Sequence, residues 1–549
     1  MSTQSIQKTR KPFAIALLVV IVWFGITGVM GPLFGKLTSV QENNNSSFLP
    51  KGAEATRAAD VIATFSSKDS FNFPTLILFE GTSTPETFAA INAHISKVGG
   101  LTLGGTSAKI SDFLAPGAQI SVFPAQDGKA ILANIPLDGN AISKVLPNDE
   151  PVLPELIAAL RADIKPIAEA NGLEPYVTGP GGLLGDLFSA FGTLDSTLLT
   201  TTLAVVAVIL IFVYRSPILW IIPLLSSLFA LSTAGGIVYL LAKNDIIDVD
   251  GQSQGILSVL VIGAATDYAL LLIARYREEL HLHESRFDAM KSAYKGVWEP
   301  ILASGSTVAI SLLVLLFSQL TNTAGLGPVG AIGIVCAMIT ILTLLPALLL
   351  LFGRWIFWPR RPHFDGDDHV MSGPWSKLAN GIGRNPRKAW VVTGSVLLLF
   401  AFASTTLKAD GLGTVDTFTG NPESVVGQKL LVTHFPGGEG DPTQIVVAVD
   451  KIDAVTAAVK NAPGVTQIVP FADPLTKVMK VVNNRAILNV TLDKAPDSVE
   501  ASNDIPKIRE LAKAADETSL VGGTSAVYND VRNANNRDNR TIIPIILFV

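Results

Sequence analysis

Cysteine is all but absent from this 549-residue chain. The single Cys336 excludes an intrachain disulfide, so every part of the chain folds without covalent staples. Charge is scarce as well: Asp, Glu, Lys and Arg make up 16% of the residues against 48% hydrophobic, where a soluble protein carries about 25% charged. There is no basic excess either. A net charge of −5 and an isoelectric point near 5.8 give no reason to propose nucleic acid as a partner. The six histidines form no metal-ligand pattern. His281 and His283 are two apart, which does not put them on one helix face. No cluster of acids completes a site around them, and they read as solvated. We therefore expect no metal and no bound cofactor.

What the chain has instead is apolar length. Mean hydropathy is +0.43, and several runs are apolar for long enough to cross a hydrocarbon core of about 30 Å. The first, 12–34, follows Lys8, Arg10 and Lys11 in the short segment 1–11. It is too long for a signal peptide and no A-x-A site follows, so it reads as an uncleaved anchor with residues 1–11 in the cytoplasm. Residues 35–196 are mixed and polar. Spans 2–6 follow within 197–352, at about 197–213, 218–242, 252–274, 298–318 and 324–352. A linker at 353–388 leads to a seventh span at 389–407. A second polar region covers 408–540, and 541–549 starts a further apolar run. The loop 275–297 carries five Lys or Arg residues and the linker 353–388 seven. Counting from an inside N-terminus puts both on the cytoplasmic side, as the positive-inside rule requires. The same count puts both large polar regions outside. Mixed charge at helical spacing in 276–297 predicts an amphipathic helix along the inner surface.

The two polar regions repeat each other. Setting Gly179 against Gly523 brings Asp186 onto Asp530 and Thr197 onto Thr541, all shifts of 344. Phe48 and Phe65 meet Phe418 and Phe435 at a shift of 370. The unit is one span, one large external domain and a block of spans. By this reading the chain holds seven spans and the start of an eighth out of an expected twelve. Short strand-like runs (74–80, 119–125, 130–137, 444–450, 486–492) alternate with helical stretches such as 151–170, which predicts βαβ-type subdomains. The fold class expected is a polytopic α-helical membrane protein with two extracytoplasmic α/β domains.

One residue resists this pattern. In GAATDYALLLIARYREEL (263–280), Asp267 sits inside the fourth span, where a charged carboxylate costs roughly 2.5–3.5 kcal/mol. Such a side chain faces protein or water, and it is suited to taking up and releasing a proton as its surroundings change. Tyr268 beside it supplies a hydroxyl. Gly263 and Ala264, one turn earlier on the same face, are small enough to let a neighbouring helix close in. In the fifth span, GSTVAIS (305–311) places Thr307 and Ser311 at i and i+4, within reach of Asp267 or of a water chain. Such hydroxyls also commonly bond back to their own helix. GLGPVGAIG (325–333) suggests close packing or flexibility at the start of the sixth span, and no Lys-Ser/Thr follows to make it a phosphate loop. With no nucleotide motif in view, any energy coupling would come from an ion gradient.

These three strings together resemble the signature of the MMPL proteins (mycobacterial membrane protein large) of the resistance–nodulation–division superfamily. The likeness covers essentially the whole chain, and the five-span block is also similar to a sterol-sensing domain. The resemblance implies two porter-type external domains and a proton-driven exporter of lipids or other hydrophobic molecules in a bacterial inner membrane, not an enzyme. It further implies that Asp267 and Tyr268 are a proton relay, matched by an Asp-Tyr pair in a tenth span, with Ser311 the nearest match to a relay serine. The partners implied are the bilayer, a lipid or hydrophobic substrate, and further copies or envelope-assembly proteins. A multidrug efflux pump and a non-transporting lipid sensor or scaffold are the alternatives.

Overall fold

The computed structural model describes residues 3–549 apart from 42–49, 51, 66–71, 116–118, 149, 360, 365–373, 405, 407–417, 419, 436–440 and 473–477. In chain order, helix α1 (Thr3–Phe34) leads to α2 (Glu54–Ala63). A first sheet domain follows: β1 (Asn72–Glu80), α3 (Pro85–Ile95), β2 (Ser121–Pro124), β3 (Ala130–Asp138), α4 (Gly139–Ile142), α5 (Val152–Ala170) and β4 (Glu174–Thr178). The long helices come next: α6 (Gly179–Tyr214), α7 (Ile221–Lys243), α8 (Gly251–Leu282), α9 (Arg286–Leu313) and α10 (Thr321–Phe352). After α11 (Pro374–Arg384) and α12 (Pro386–Ser404) comes the second domain. It comprises α13 (Glu423–His434), β5 (Thr443–Ala448), α14 (Ile452–Val459), β6 (Val465–Pro470), β7 (Arg485–Leu492), α15 (Val499–Ala515), β8 (Leu520–Gly522) and α16 (Thr524–Phe548).

Among the described residues, six helices are long and apolar enough to span a membrane: Pro12–Phe34, Ile221–Lys243, Gly251–Leu282, Arg286–Phe317, Thr321–Phe357 and Pro386–Ser404. A shorter apolar stretch, Leu199–Tyr214, is the far end of α6. At 36 residues and 1.5 Å per residue, α6 is about 54 Å long, so one unbroken helix runs from the first sheet into the apolar block. Around 275–297 the structure departs from the expected separate amphipathic helix. There α8 continues to Leu282 and α9 begins at Arg286, leaving only a three-residue turn. Arg354 holds that turn, donating to the carbonyls of His283 (2.6 Å) and Glu284 (3.2 Å). Nor is His283 simply solvated. The His283 ring lies 3.3 Å from Glu279, a buried carboxylate that also pairs with Arg275 at 2.7 Å.

Among the described residues, each domain holds one four-stranded sheet, in orders β2-β3-β1-β4 and β6-β7-β5-β8. All pairings are antiparallel. The expected βαβ unit therefore takes its split form, in which β1 and β2, or β5 and β6, run parallel but are separated by the next strand. The central strands read as continuous apolar runs because both faces are covered. Ile77 and Phe79 of β1 pack with α3 and α5 on one side. Leu76 and Leu78 meet Leu431 of α13 and Phe435 at its end on the other. In the second domain Ile445 and Val447 face α14 and α15, while Val446 and Ile487 meet Phe65 at the end of α2. The outer helices are thus exchanged: the helix after the first span covers the second sheet, and the helix preceding the second sheet covers the first.

An ionic clasp fixes each exchange. Arg161 on α5 grips Asp186 on α6 through two bonds (2.6 and 2.8 Å) and reaches Glu423 on α13 at 3.2 Å. Glu423 accepts from the Val177 amide at 2.7 Å, and Asp186 from the Ser424 amide at 3.3 Å. In the second domain Arg509 grips Asp530 (2.6 and 2.9 Å) and reaches Glu54 on α2 at 3.4 Å. Glu54 accepts from the Val521 amide (3.1 Å) and Asp530 from the Ala55 amide (2.9 Å). Burial on its own pushes the Asp186 carboxyl up, but the bonds from Arg161 and Ser424 outweigh it and hold the group below its ordinary value. Gly179 and Gly523, which open α6 and α16, both have positive φ (+68° and +90°). A Cβ on Gly179 would stand 2.7 Å from Leu76, so the tight strand-to-helix turn admits only glycine.

Candidate functional site

The site is built on α8. Its N-terminus is capped by Asp250, whose carboxylate accepts from the Ser253 amide at 2.6 Å. One turn in, Gln254 is bonded to Gln41 at 2.8 Å. Residues at helical spacing then divide α8 into two faces. Leu257, Val261, Ala265, Tyr268, Leu272 and Tyr276 are buried in the shared core of the apolar block. Ile256, Val259, Gly263, Asp267 and Leu271 form an exposed stripe on the opposite side.

Asp267 therefore stands on the open face of its helix. So does Gly263, where an added Cβ would find nothing within 4 Å. The close approach expected at Gly263 is made by none of the described residues. Ala264 is half-buried and packs against the core. Tyr268 is 3% exposed, and its hydroxyl faces Ser304 across the contact between α8 and α9. Ser304 stands one position ahead of the GSTVAIS string and escaped the sequence reading. The usable signal was its spacing: Ser304, Thr307 and Ser311 lie at i, i+3 and i+7 on one helix face. Thr307 is exposed and Ser311 half-buried. No hydrogen bond joins either to Asp267 among the described residues. Thr266, the residue before Asp267, does bond back to its own helix, at the Ile262 carbonyl (2.7 Å).

The glycines of GLGPVGAIG lie within the continuous helix α10 and serve packing. A Cβ on Gly333 would meet Leu257 and Val261 of α8 at 2.6 and 2.7 Å. On α9, one at Gly305 would meet Met338 of α10 at 2.0 Å. These contacts lock α8, α9 and α10 together behind the Asp267 stripe. No group of three or more His, Cys, Asp or Glu side chains able to hold a metal exists among the described residues. A cavity of about 510 Å³ opens elsewhere, between Pro12 of α1, Leu350 of α10 and the Phe287–Lys295 stretch of α9.

Helices long and apolar enough to span a membrane, two matching sheet domains and a carboxylate midway along one of those helices mark a polytopic membrane protein with a duplicated plan. The chain belongs to the MMPL family, whose sequence profile matches residues 47–389 and 420–549. It is 38% identical over 541 residues to the membrane protein ActII-3 of Streptomyces coelicolor, covering 97% of this chain and 71% of that one. It is 30% identical over 410 residues to an apo-petrobactin exporter of Bacillus anthracis, covering 69% of this chain and 53% of the exporter. A Mycobacterium tuberculosis chain named as transport protein MmpL12 is 28% identical over 545 residues, or 94% of this chain and 45% of the relative.

Proposed function

We propose that this protein is an exporter driven by the proton-motive force, carrying lipids or other hydrophobic molecules across the bacterial inner membrane toward the cell envelope. The observation that carries the reading is Asp267: a carboxylate midway along an apolar helix, next to a buried tyrosine whose hydroxyl faces a serine on the adjoining helix. An ionisable group is expensive at that depth and is kept there for function. Relatives named as transport proteins and as an exporter support export over a sensing or scaffold role.

In this reading Asp267 takes a proton from one side and gives it up to the other. Tyr268 and Ser304 supply hydroxyls for the transfer. Neutralising the carboxylate removes its need for polar partners on the open stripe of α8, so the packing partner of that stripe shifts with protonation. The two sheet domains enclose the substrate path outside the membrane, and the proton gradient supplies the free energy in place of a cofactor. Asp267→Asn keeps shape and removes the titratable group. The expected outcome is loss of export with the protein still present in the membrane. Undiminished export with unchanged proton coupling would sink the relay.

A further inference from the structure

Asp538, a buried carboxylate on α16, has no part in the relay just described. It is 5% exposed and is engaged by the turn that joins α9 to α10. Ser318 Oγ donates to its Oδ2 at 2.6 Å, and the Gln319 amide donates to both oxygens at 3.2 and 3.0 Å. Ser318 Oγ also accepts from the Leu320 amide at 3.1 Å, closing the turn on itself. Arg537 adds a contact at 3.3 Å, while remaining half exposed. Leu320 of the same turn is bridged to Pro50, from the segment between α1 and α2.

We propose that Asp538 is a positioning residue: it latches the α9–α10 turn to α16 and so carries movement of the relay spans into the second sheet domain. This rests on the proton-relay reading of Asp267. The geometry provides a stiff route. Ser304, facing Tyr268, and Ser318 lie on one nearly continuous helical rod, since α9 passes straight into a 3₁₀ turn at Val314–Phe317. From Asp538 back to Asp530 is two turns of α16, about 12 Å, and Asp530 is held by the Ala55 amide of α2 and by Arg509, which also reaches the Val521 carbonyl of β8. A charge-assisted latch at one end and an ionic clasp at the other make α16 a strut between membrane block and sheet.

The test is amide hydrogen exchange on the protein in its membrane, comparing Asp267 with Asp267→Asn in three backgrounds: native, Asp538→Ala and Ser318→Ala. In the native background the relay substitution should alter exchange in α8–α10 and also in α16 and β8. With Asp538→Ala the difference should persist in α8–α10 and vanish from α16 and β8. Ser318→Ala keeps the carboxylate and the Gln319 bonds. It should shrink the α16 difference without removing it, and it decides the matter if Asp538→Ala disturbs the sheet itself. An α16 difference that survives both substitutions at full size overturns the latch. So does a native difference confined to α8–α10, which leaves the relay standing. If Asp267→Asn changes exchange nowhere, the relay fails and the latch with it.

Discussion

The two clasps are built from the same three residue types, while the packing beside them differs and the differences compensate. In the first domain the strand carries Thr178 and the exchanged helix carries Gly427, where a Cβ would meet Thr178 at 3.0 Å and Tyr176 at 2.7 Å. In the second the strand carries Gly522 and the helix Ala58, and a Cβ on Gly522 would meet Ala58 at 2.8 Å. The bulk has moved across the interface while the gap has stayed the same, as close packing requires. The hydrogen bonds that Thr178 gives to Ser424 (2.7 Å) and Gln428 (3.1 Å) have no counterpart at Gly522. In their place Lys513 pairs with Glu54 as a fourth charge. Burial differs as well. The Arg161 and Glu423 side chains are 26% and 33% exposed, against 14% and 9% for Arg509 and Glu54. Duplication kept the Arg, Asp and Glu of the clasp and the volume of the interface, and left the packing residues beside them free to change.

That comparison can be broken at three places. Arg509→Ala leaves Asp530 buried without its cation and Glu54 with Lys513 alone, and a broken buried pair costs about 3–5 kcal/mol. Arg161→Ala should cost visibly less, because its site is wetter. Resistance of each domain to limited proteolysis on heating measures both, and equal losses would mean that burial does not rank the clasps. Asp441 offers a second break, because the register of β1 on β4 and of β5 on β8 puts Phe73 at its place in the first sheet. Burial pushes the Asp441 carboxyl up to about 6, with Asp497 adding to the shift and Thr524 opposing it. An acid raised on folding leaves stability unaffected below its unfolded value near 3.9 and lowers it as pH climbs through the folded value. Asp441→Asn should therefore stabilise the second domain at pH 8 by at most about 3 kcal/mol, two pKa units at 1.36 each. The gain should be absent below pH 4. Gly522→Thr, the smallest effect, overpacks the second interface by about 1–3 kcal/mol. Adding Ala58→Gly, which restores the arrangement of the first domain, should recover most of it. No recovery in the double variant would show that the two interfaces are not interchangeable.

Much of the architecture was legible because it is written locally. Apolar runs mark the spanning helices without reference to anything distant. Gly179 and Gly523 announced the repeat because one tight turn demands glycine in both copies, and Asp186 with Asp530 followed at the same shift. Phe65 and Phe435 were recognised as equivalent, but their exchange between sheets was not. That exchange depends on contacts such as Val177 with Glu423, 246 residues apart, for which the chain carries no local mark. The 275–297 segment misled for the opposite reason. Its charge pattern suits a surface helix, yet the same pattern serves two helix ends held by Arg354 and the buried Glu279. At the site, Asp267 stood out by cost alone, whereas the relevance of Ser304 needed α9 to be seen facing Tyr268.

The sequence by itself determined that this is a membrane protein of duplicated plan with a carboxylate lodged in an apolar helix. Apolar length, repeat spacing and the cost of burying charge are all properties of a single stretch of chain. Only the tertiary structure decided which face of α8 Asp267 occupies, which sheet each exchanged helix covers, and that Asp538 meets Ser318. Those outcomes follow from which surfaces fill one another's gaps and satisfy one another's polar groups, and no single stretch of chain contains both sides of such a contact.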